Sequence, residues 1–109
     1  GNSDAKLITQ VIINLIKNAI EAVEAQDERT IILRSDKEEQ HIRIEVANNG
    51  TPIPEDILPH IFIPFFTTKP QGSGIGLSIS RQIMRLHEGK LQHSTAPDGT
   101  TLFSMLFIH

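Results

Sequence analysis

The chain has 109 residues, a formal net charge of −3, 39% hydrophobic and 21% charged residues, and no Cys, Trp or Tyr. That length supports one hydrophobic core, the apolar fraction excludes a disordered chain, and the lack of cysteine excludes disulfides, a thiol nucleophile and a Cys-based zinc site. Slight acidity with both signs scattered along the chain argues against nucleic-acid binding. The longest run without Asp, Glu, Lys or Arg, Ile57 to Thr68, is too short to cross a bilayer. A cytoplasmic domain without direct membrane contact, monomeric when isolated, is expected.

Taken in order, Asp4 to Ala25 predicts a helix, with Asp4 as N-cap and an apolar stripe through Leu7, Val11, Leu15, Ala19 and Ala22. Thr30 to Arg34 and His41 to Val46 predict strands, joined by a loop over the polar stretch Asp36 to Gln40. Asn48-Asn49-Gly50-Thr51-Pro52 marks a turn, and Pro54 to Pro59 admits only a short helix. Ile61 to Gly76 holds three Phe, three Gly and two Pro without a sustained period, as in a loop that folds over something. Leu77 to His87 predicts a second helix with Gly89 just past its end. Leu91 to Thr95 and Thr101 to Ile108 predict closing strands about a Pro97-Asp98-Gly99 turn. This order implies helices on one face of a mostly antiparallel sheet, an α+β arrangement in two layers.

Three features break the pattern. Asn14 and Asn18 lie one turn apart on the apolar stripe of the first helix. Each costs about 0.5 kcal/mol in helix propensity relative to Ala, and about 1–3 kcal/mol more if buried without a partner. A lone Asn would be read as a backbone cap or a water ligand. A pair aims two amide oxygens into one space, which suits a hard cation such as Mg²⁺ that also keeps waters and phosphates. Second, Gly72-Ser73-Gly74-Ile75-Gly76-Leu77 runs glycines into a helix start, where free N–H groups favour anions. It is neither Gly-x-Gly-x-x-Gly nor a Walker loop, and alone it could be a flexible turn. Lys69 beside it could reach a phosphate or be a solvated loop lysine. Third, Asn48 ends an apolar strand where it could read a heterocycle edge, with Gly50 leaving room for a flat ring. An ordinary Asn-Gly turn fits that segment equally well.

Together these segments resemble the ATP-binding catalytic domain of sensor histidine kinases, within the gyrase, Hsp90, histidine kinase and MutL superfamily. Asn14-Leu-Ile-Lys-Asn18-Ala is similar to its N box and Asn48-Asn-Gly to its first glycine box. Phe62-Ile-Pro-Phe65-Phe66-Thr-Thr-Lys69 resembles the F box, Gly72 to Leu77 the second glycine box, and Gly99-Thr100-Thr101 the last. The resemblance implies a Bergerat-type two-layer α/β sandwich with a mixed, mostly antiparallel sheet and a mobile ATP lid over about residues 61–73. It implies that Asn18 coordinates Mg²⁺ while Asn14 helps hold metal and phosphates. Lys69, with Phe66 and Thr68 of the lid, would cover the triphosphate, and Gly72, Gly74, Ile75, Gly76 and Leu77 would admit it to the helix N-terminus. Asn48 and Thr101 would read adenine, with Gly50 and Ile53 lining the base pocket.

The implied activity is transfer of the γ-phosphoryl group of Mg·ATP to a histidine on a separate dimerisation and phosphoacceptor domain, with a cognate response regulator downstream. That acceptor is absent here, since neither His60 nor His87-Glu88 stands in a His-Glu-x-x-x-Pro context, and the strands that usually precede the N-box helix are not recognisable. Residues 1–109 therefore read as one catalytic domain without its acceptor. Superfamily ATPases carry glutamate at the Asn14 position, and a carboxamide cannot act as a general base near neutral pH, so transfer is expected over hydrolysis. Asn14 and Lys69 are the expected catalytic residues. The alternatives are a degenerate nucleotide-binding or interaction module, and an anti-sigma-factor-type serine kinase. Two departures stand out: Asn48 replaces the family's usual Asp, and Pro52 replaces a usual glycine. The first predicts ATP binding weaker by about 1 kcal/mol and relaxed discrimination against GTP.

Overall fold

A computed structural model describes residues 2–68 and 75–108. Two α-helices and four strands follow in the order α1 (Asn2–Ala22), β1 (Ile31–Glu38), β2 (His41–Asn48), a 3₁₀ turn at Leu58–His60, α2 (Gly76–Leu86), β3 (Lys90–Thr95) and β4 (Thr101–Ile108). The strands form one sheet in the order β1-β2-β4-β3, and every described pair is antiparallel. Helices α1 and α2 pack on each other, with α1 over β2 and α2 over β3. The two-layer α/β sandwich expected from the element order is the fold observed.

Period-two alternation selects the inward face of the sheet. Val46 pairs with Phe103 and Ile44 with Met105, and Leu91 faces Met105 from the other side. Paired residues share a face, so these side chains meet Val11, Leu15 and Ala19 of α1 and Ile83 and Met84 of α2 in one core. Full burial of Leu15, Met84 or Phe103 contributes about 1.5–3 kcal/mol each. The buried stripe of α1 is Val11, Leu15 and Ala19, continued by Val23 just past its end, whereas Leu7 is exposed. This corrects the expected stripe and moves Asn14 and Asn18 from its middle to its margin, where both are half-buried.

Several boundaries differ from expectation for local reasons. Helix α1 begins at Asn2, so Asp4 lies inside the first turn and is not its cap. The helix ends at Ala22, three residues early, where Arg29 Nη2 donates to the Glu24 carbonyl 2.6 Å away in the following turn. Strand β1 runs on through Ser35 to Glu38, because β2 supplies backbone partners along its whole length. The hairpin shrinks to Glu39 and Gln40, with Glu39 at φ 56, a conformation that usually favours glycine. At the end of α2, Glu88 N–H bonds the Arg85 carbonyl and Gly89 N–H bonds that of Met84. This is a Schellman motif, and its left-handed residue is Glu88 at φ 58, not Gly89. Gly89 is needed for a different reason: a Cβ there would lie 2.7 Å from the Leu106 carbonyl oxygen. The Pro97-Asp98-Gly99 turn forms as expected, with Gly99 at φ 91 and Asp98 accepting from the Thr100 N–H.

His87 ties the helices together at their far ends. Its Nδ1 lies 2.7 Å from the Ile83 carbonyl and its Nε2 3.1 Å from Asp4 Oδ1. Both partners accept only, and a neutral imidazole has one N–H to offer, so the protonated ring satisfies both. The Ile83 carbonyl first, and the Asp4 carboxylate second, raise the His87 pKa above its ordinary value. Its stabilising contribution is present in full below the unfolded value of about 6.5 and is lost as pH rises through the raised folded value. His93 has the opposite sign: burial beside Phe103 pushes its pKa down, so acid destabilises through it. The stability difference between wild type and His87→Gln isolates the first effect. In thermal melts the wild type should hold an advantage at about pH 6 that is gone by about pH 9; a difference constant with pH would show that the imidazolium plays no part.

Candidate functional site

A cavity of about 620 Å³ opens between α1, the start of α2 and the segment 53–68, well within the size range of small-molecule sites. From α1 it is lined by Gln10, Asn14, Lys17, Asn18 and Glu21, in which 10, 14, 18 and 21 follow three- and four-residue steps along one helix face with Lys17 beside them. Ile75, Gly76, Leu77 and Ile79 line it from α2, and Ile53, Ile57, Ile61, Phe66, Thr67 and Thr68 close the remaining wall. One side is thus polar and amide-rich and the other apolar, a division that suits a ligand with a charged end and a flat greasy end.

The start of α2 borders this space. The hydrogen bond from Ile79 N–H to the Ile75 carbonyl, 2.9 Å, belongs to its first turn, and the amides of Gly76, Leu77 and Ser78 stand at the positive end of the helix. A Cβ built on Gly76 meets nothing within 4 Å. Protein packing does not require glycine there, and the open space it faces is available to a ligand. Lys17 adds a positive charge to the same wall. No group of three or more His, Asp or Glu that could hold a metal occurs among the described residues. A cation in the cavity would therefore depend on amide oxygens, water and ligand phosphates, which is the donor set Mg²⁺ accepts.

Asn14 is held on both sides. Its Nδ2 donates to Ser80 Oγ at 3.1 Å and to the Gly76 carbonyl at 3.4 Å, and its Oδ1 accepts from Gln10 Nε2 at 2.9 Å. Of the residues expected to form the site, Asn14, Asn18, Ile53, Phe66, Thr68, Ile75, Gly76 and Leu77 come together around the cavity. Asn48, Gly50 and Thr101 do not line it. Asn48 and Thr101 are paired across β2 and β4 and buried. The Thr101 hydroxyl has no hydrogen-bond partner among the described residues, an orphaned polar atom of the kind a ligand can satisfy. Lys69, Gly72 and Gly74 lie outside the described residues.

Two expectations change in detail. Gly50 does not owe its small size to a flat ligand: a Cβ there would lie 2.2 Å from the Ala22 carbonyl oxygen, so the end of α1 demands it. Asn48 is held in one flip state, its Oδ1 accepting from the Gly50 N–H at 2.9 Å, which leaves its nitrogen and the second lone pair of its oxygen for further partners. The loop expected from Ile61 onward is also anchored at its start. Ile61 and Phe62 pack against the core, and Arg81 stacks 5.0 Å over the Phe62 ring. His60 stacks on Phe66 with ring centroids 5.3 Å apart. Gln10, Lys17 and Glu21 escaped the sequence reading. The spacing 10, 14, 17, 18, 21 around the two Asn was the available signal, since any helix face that carries Asn14 and Asn18 also carries these neighbours.

Residues 3–108 match the family model described as histidine kinase-, DNA gyrase B-, and HSP90-like ATPase. The chain is 38% identical over 101 residues to the sensor protein FixL of Bradyrhizobium diazoefficiens, covering 91% of this chain and 20% of that protein. It is 36% identical over 106 residues to sporulation kinase A of Bacillus subtilis, covering 97% and 17%. The solved, nucleotide-free catalytic domain of histidine kinase ThkA superposes with a TM-score of 0.83 at 40% identity, over 94% of this chain and 66% of that one. The chain thus spans about a fifth of the length of these two curated relatives. Sequence match, fold and the amide-lined cavity agree: the chain belongs to the histidine kinase-, DNA gyrase B- and HSP90-like ATPase family, in the company of sensor histidine kinase catalytic domains.

Proposed function

We propose that this chain binds Mg·ATP in the α1–α2 cavity and presents its γ-phosphoryl group to a histidine on a separate helical phosphoacceptor domain, within two-component signalling. The observation that carries the reading is the meeting of Asn14, Asn18 and Lys17 with the open amide end of α2 in one cavity. Phosphoryl transfer asks little covalent chemistry of a protein and depends on positioning and charge neutralisation. In this reading Asn18 and Asn14 direct amide oxygens at the cation, and Lys17 and the first N–H groups of α2 hold phosphate oxygens. The family resemblance assigns Lys69 the same role. Magnesium, when bound, neutralises phosphate charge. Ile53 and its apolar neighbours face the base, and Asn48 and Thr101, paired at the adjoining ends of β2 and β4 outside the cavity lining, are the polar groups assigned to read it. With one lone pair of its oxygen taken by Gly50, the Asn48 carboxamide still offers a second lone pair and two N–H donors to a base, which supports relaxed discrimination between ATP and GTP.

Hydrolysis fits the wall less well. Glu21 is the one carboxylate among the lining residues, and it lies two turns of α1, about 10 Å, beyond Asn14. An amide at position 14 cannot take a proton from water, which favours a nucleophile brought by a partner. Calorimetry with Mg·ATP tests the binding. Wild type should bind, and Asn18→Ala should bind at least about tenfold more weakly, the scale of one lost interaction with a charged group. A folded wild-type chain that binds no nucleotide would end this reading. Incubation with a supplied helical domain then tests transfer: label lost in acid and kept in base marks phosphohistidine, and the reverse would assign a serine kinase.

A further inference from the structure

We propose that Ser80 is a positioning residue for the cation site, holding the Asn14 carboxamide so that its oxygen, and not its nitrogen, is free to meet a cation. The inference rests on the nucleotide reading above. Ser80 is fully buried in α2 and does not line the cavity. Serine is a poorer helix former than alanine, and a buried hydroxyl needs a partner. Its partner is Asn14 Nδ2, 3.1 Å away on the other helix.

The flip state of Asn14 follows from what surrounds it. The Gly76 carbonyl, 3.4 Å from the amide, can only accept, so the group turned toward α2 must be the nitrogen. The oxygen is then turned toward Gln10, whose Nε2 lies 2.9 Å from it. Gln10 and Asn14 both line the cavity. One lone pair of this oxygen takes the Gln10 N–H, and the second remains for a cation. Without the Ser80 hydroxyl the nitrogen keeps only the long Gly76 contact. The carboxamide, tethered to α2 by that weak contact alone, can then swing and carry its oxygen away from the cation. Ser80 thus acts from behind the wall of the cavity, through Asn14.

Two measurements on the whole chain test this, with Ser80→Ala as the main variant because it removes one oxygen and adds no bulk. The first is the ratio of ATP dissociation constants in EDTA and in Mg²⁺. Ser80→Ala should lower that ratio by about tenfold while leaving the EDTA value within about twofold of wild type. Ser80→Thr, which keeps the hydroxyl, should restore the ratio. Equal weakening in EDTA and Mg²⁺, or no change in the ratio, would overturn the proposal. The second needs no nucleotide: the Asn14 side-chain amide protons, assigned by their loss in Asn14→Ala, should exchange slowly with solvent in wild type and faster in Ser80→Ala. Unchanged protection would overturn the proposal as well. A wild type that binds no nucleotide yet shows the exchange difference would remove the function proposed above and keep Ser80 as the group that orients Asn14.

Discussion

Replacing Gly50 by alanine should destabilise the fold by about 3 kcal/mol, the upper end of the range for forcing extra atoms into a packed site. The added carbon would lie 2.2 Å from the Ala22 carbonyl oxygen and 2.6 Å from its carbon. Both are backbone atoms, so no side chain can swing aside. Either the end of α1 or the end of β2 must move, and the second would also break the Asn48 Oδ1 contact with the Gly50 N–H. For a domain of this size the loss corresponds to a fall in melting temperature of about 12–24 °C. A drop of less than about 4 °C would mean that α1 does not come this close to the Asn48-Asn49-Gly50 turn.

The opposite pattern is expected at Gly76. An added Cβ meets no protein atom within 4 Å, and alanine is the better helix former by up to about 1 kcal/mol. Gly76→Ala should therefore melt at or above the wild-type temperature. The methyl group would instead enter space next to the cavity that Gly76 lines, at the start of α2. Nucleotide affinity should fall by about 5- to 150-fold, corresponding to about 1–3 kcal/mol. Calorimetry and a thermal melt on the same sample separate the two effects. Unaltered affinity would show that phosphates do not approach the start of α2. The pair of variants is informative together because both glycines belong to glycine-rich motifs, yet one answers to the protein backbone and the other to the ligand.

Much of the fold was legible because periodicity reports which face is buried. The 3.6-residue stripe of α1 and the period-two run of β2 located those elements to within a few residues. What local pattern could not show was how far neighbours extend an element. Asp36 to Glu38 read as part of a polar loop, yet a strand needs only backbone partners, and β2 provides them. Glu39 and Glu88 take left-handed conformations that composition assigns to glycine, because a tight hairpin and a Schellman motif impose them. Gly50 and Gly89 look like ordinary turn glycines in the sequence. Their need for a missing Cβ comes from Ala22 and Leu106, far away along the chain.

The pair of amides, the glycine run into a helix and the strand-end Asn were all visible as residues, and their order along the chain was enough to indicate the family. Chain order says nothing about which way a side chain leans once two helices touch. The placement of Asn14 and Asn18 at the margin of the core, the capture of Asn14 between Gln10 and Ser80, and the entry of Lys17 into the cavity wall follow from the packing of α1 against α2. Helical period and residue chemistry are local properties and can be read from the string of letters. The partners of a buried polar atom are chosen by residues more than sixty positions away, and only the assembled layers bring them within hydrogen-bond reach.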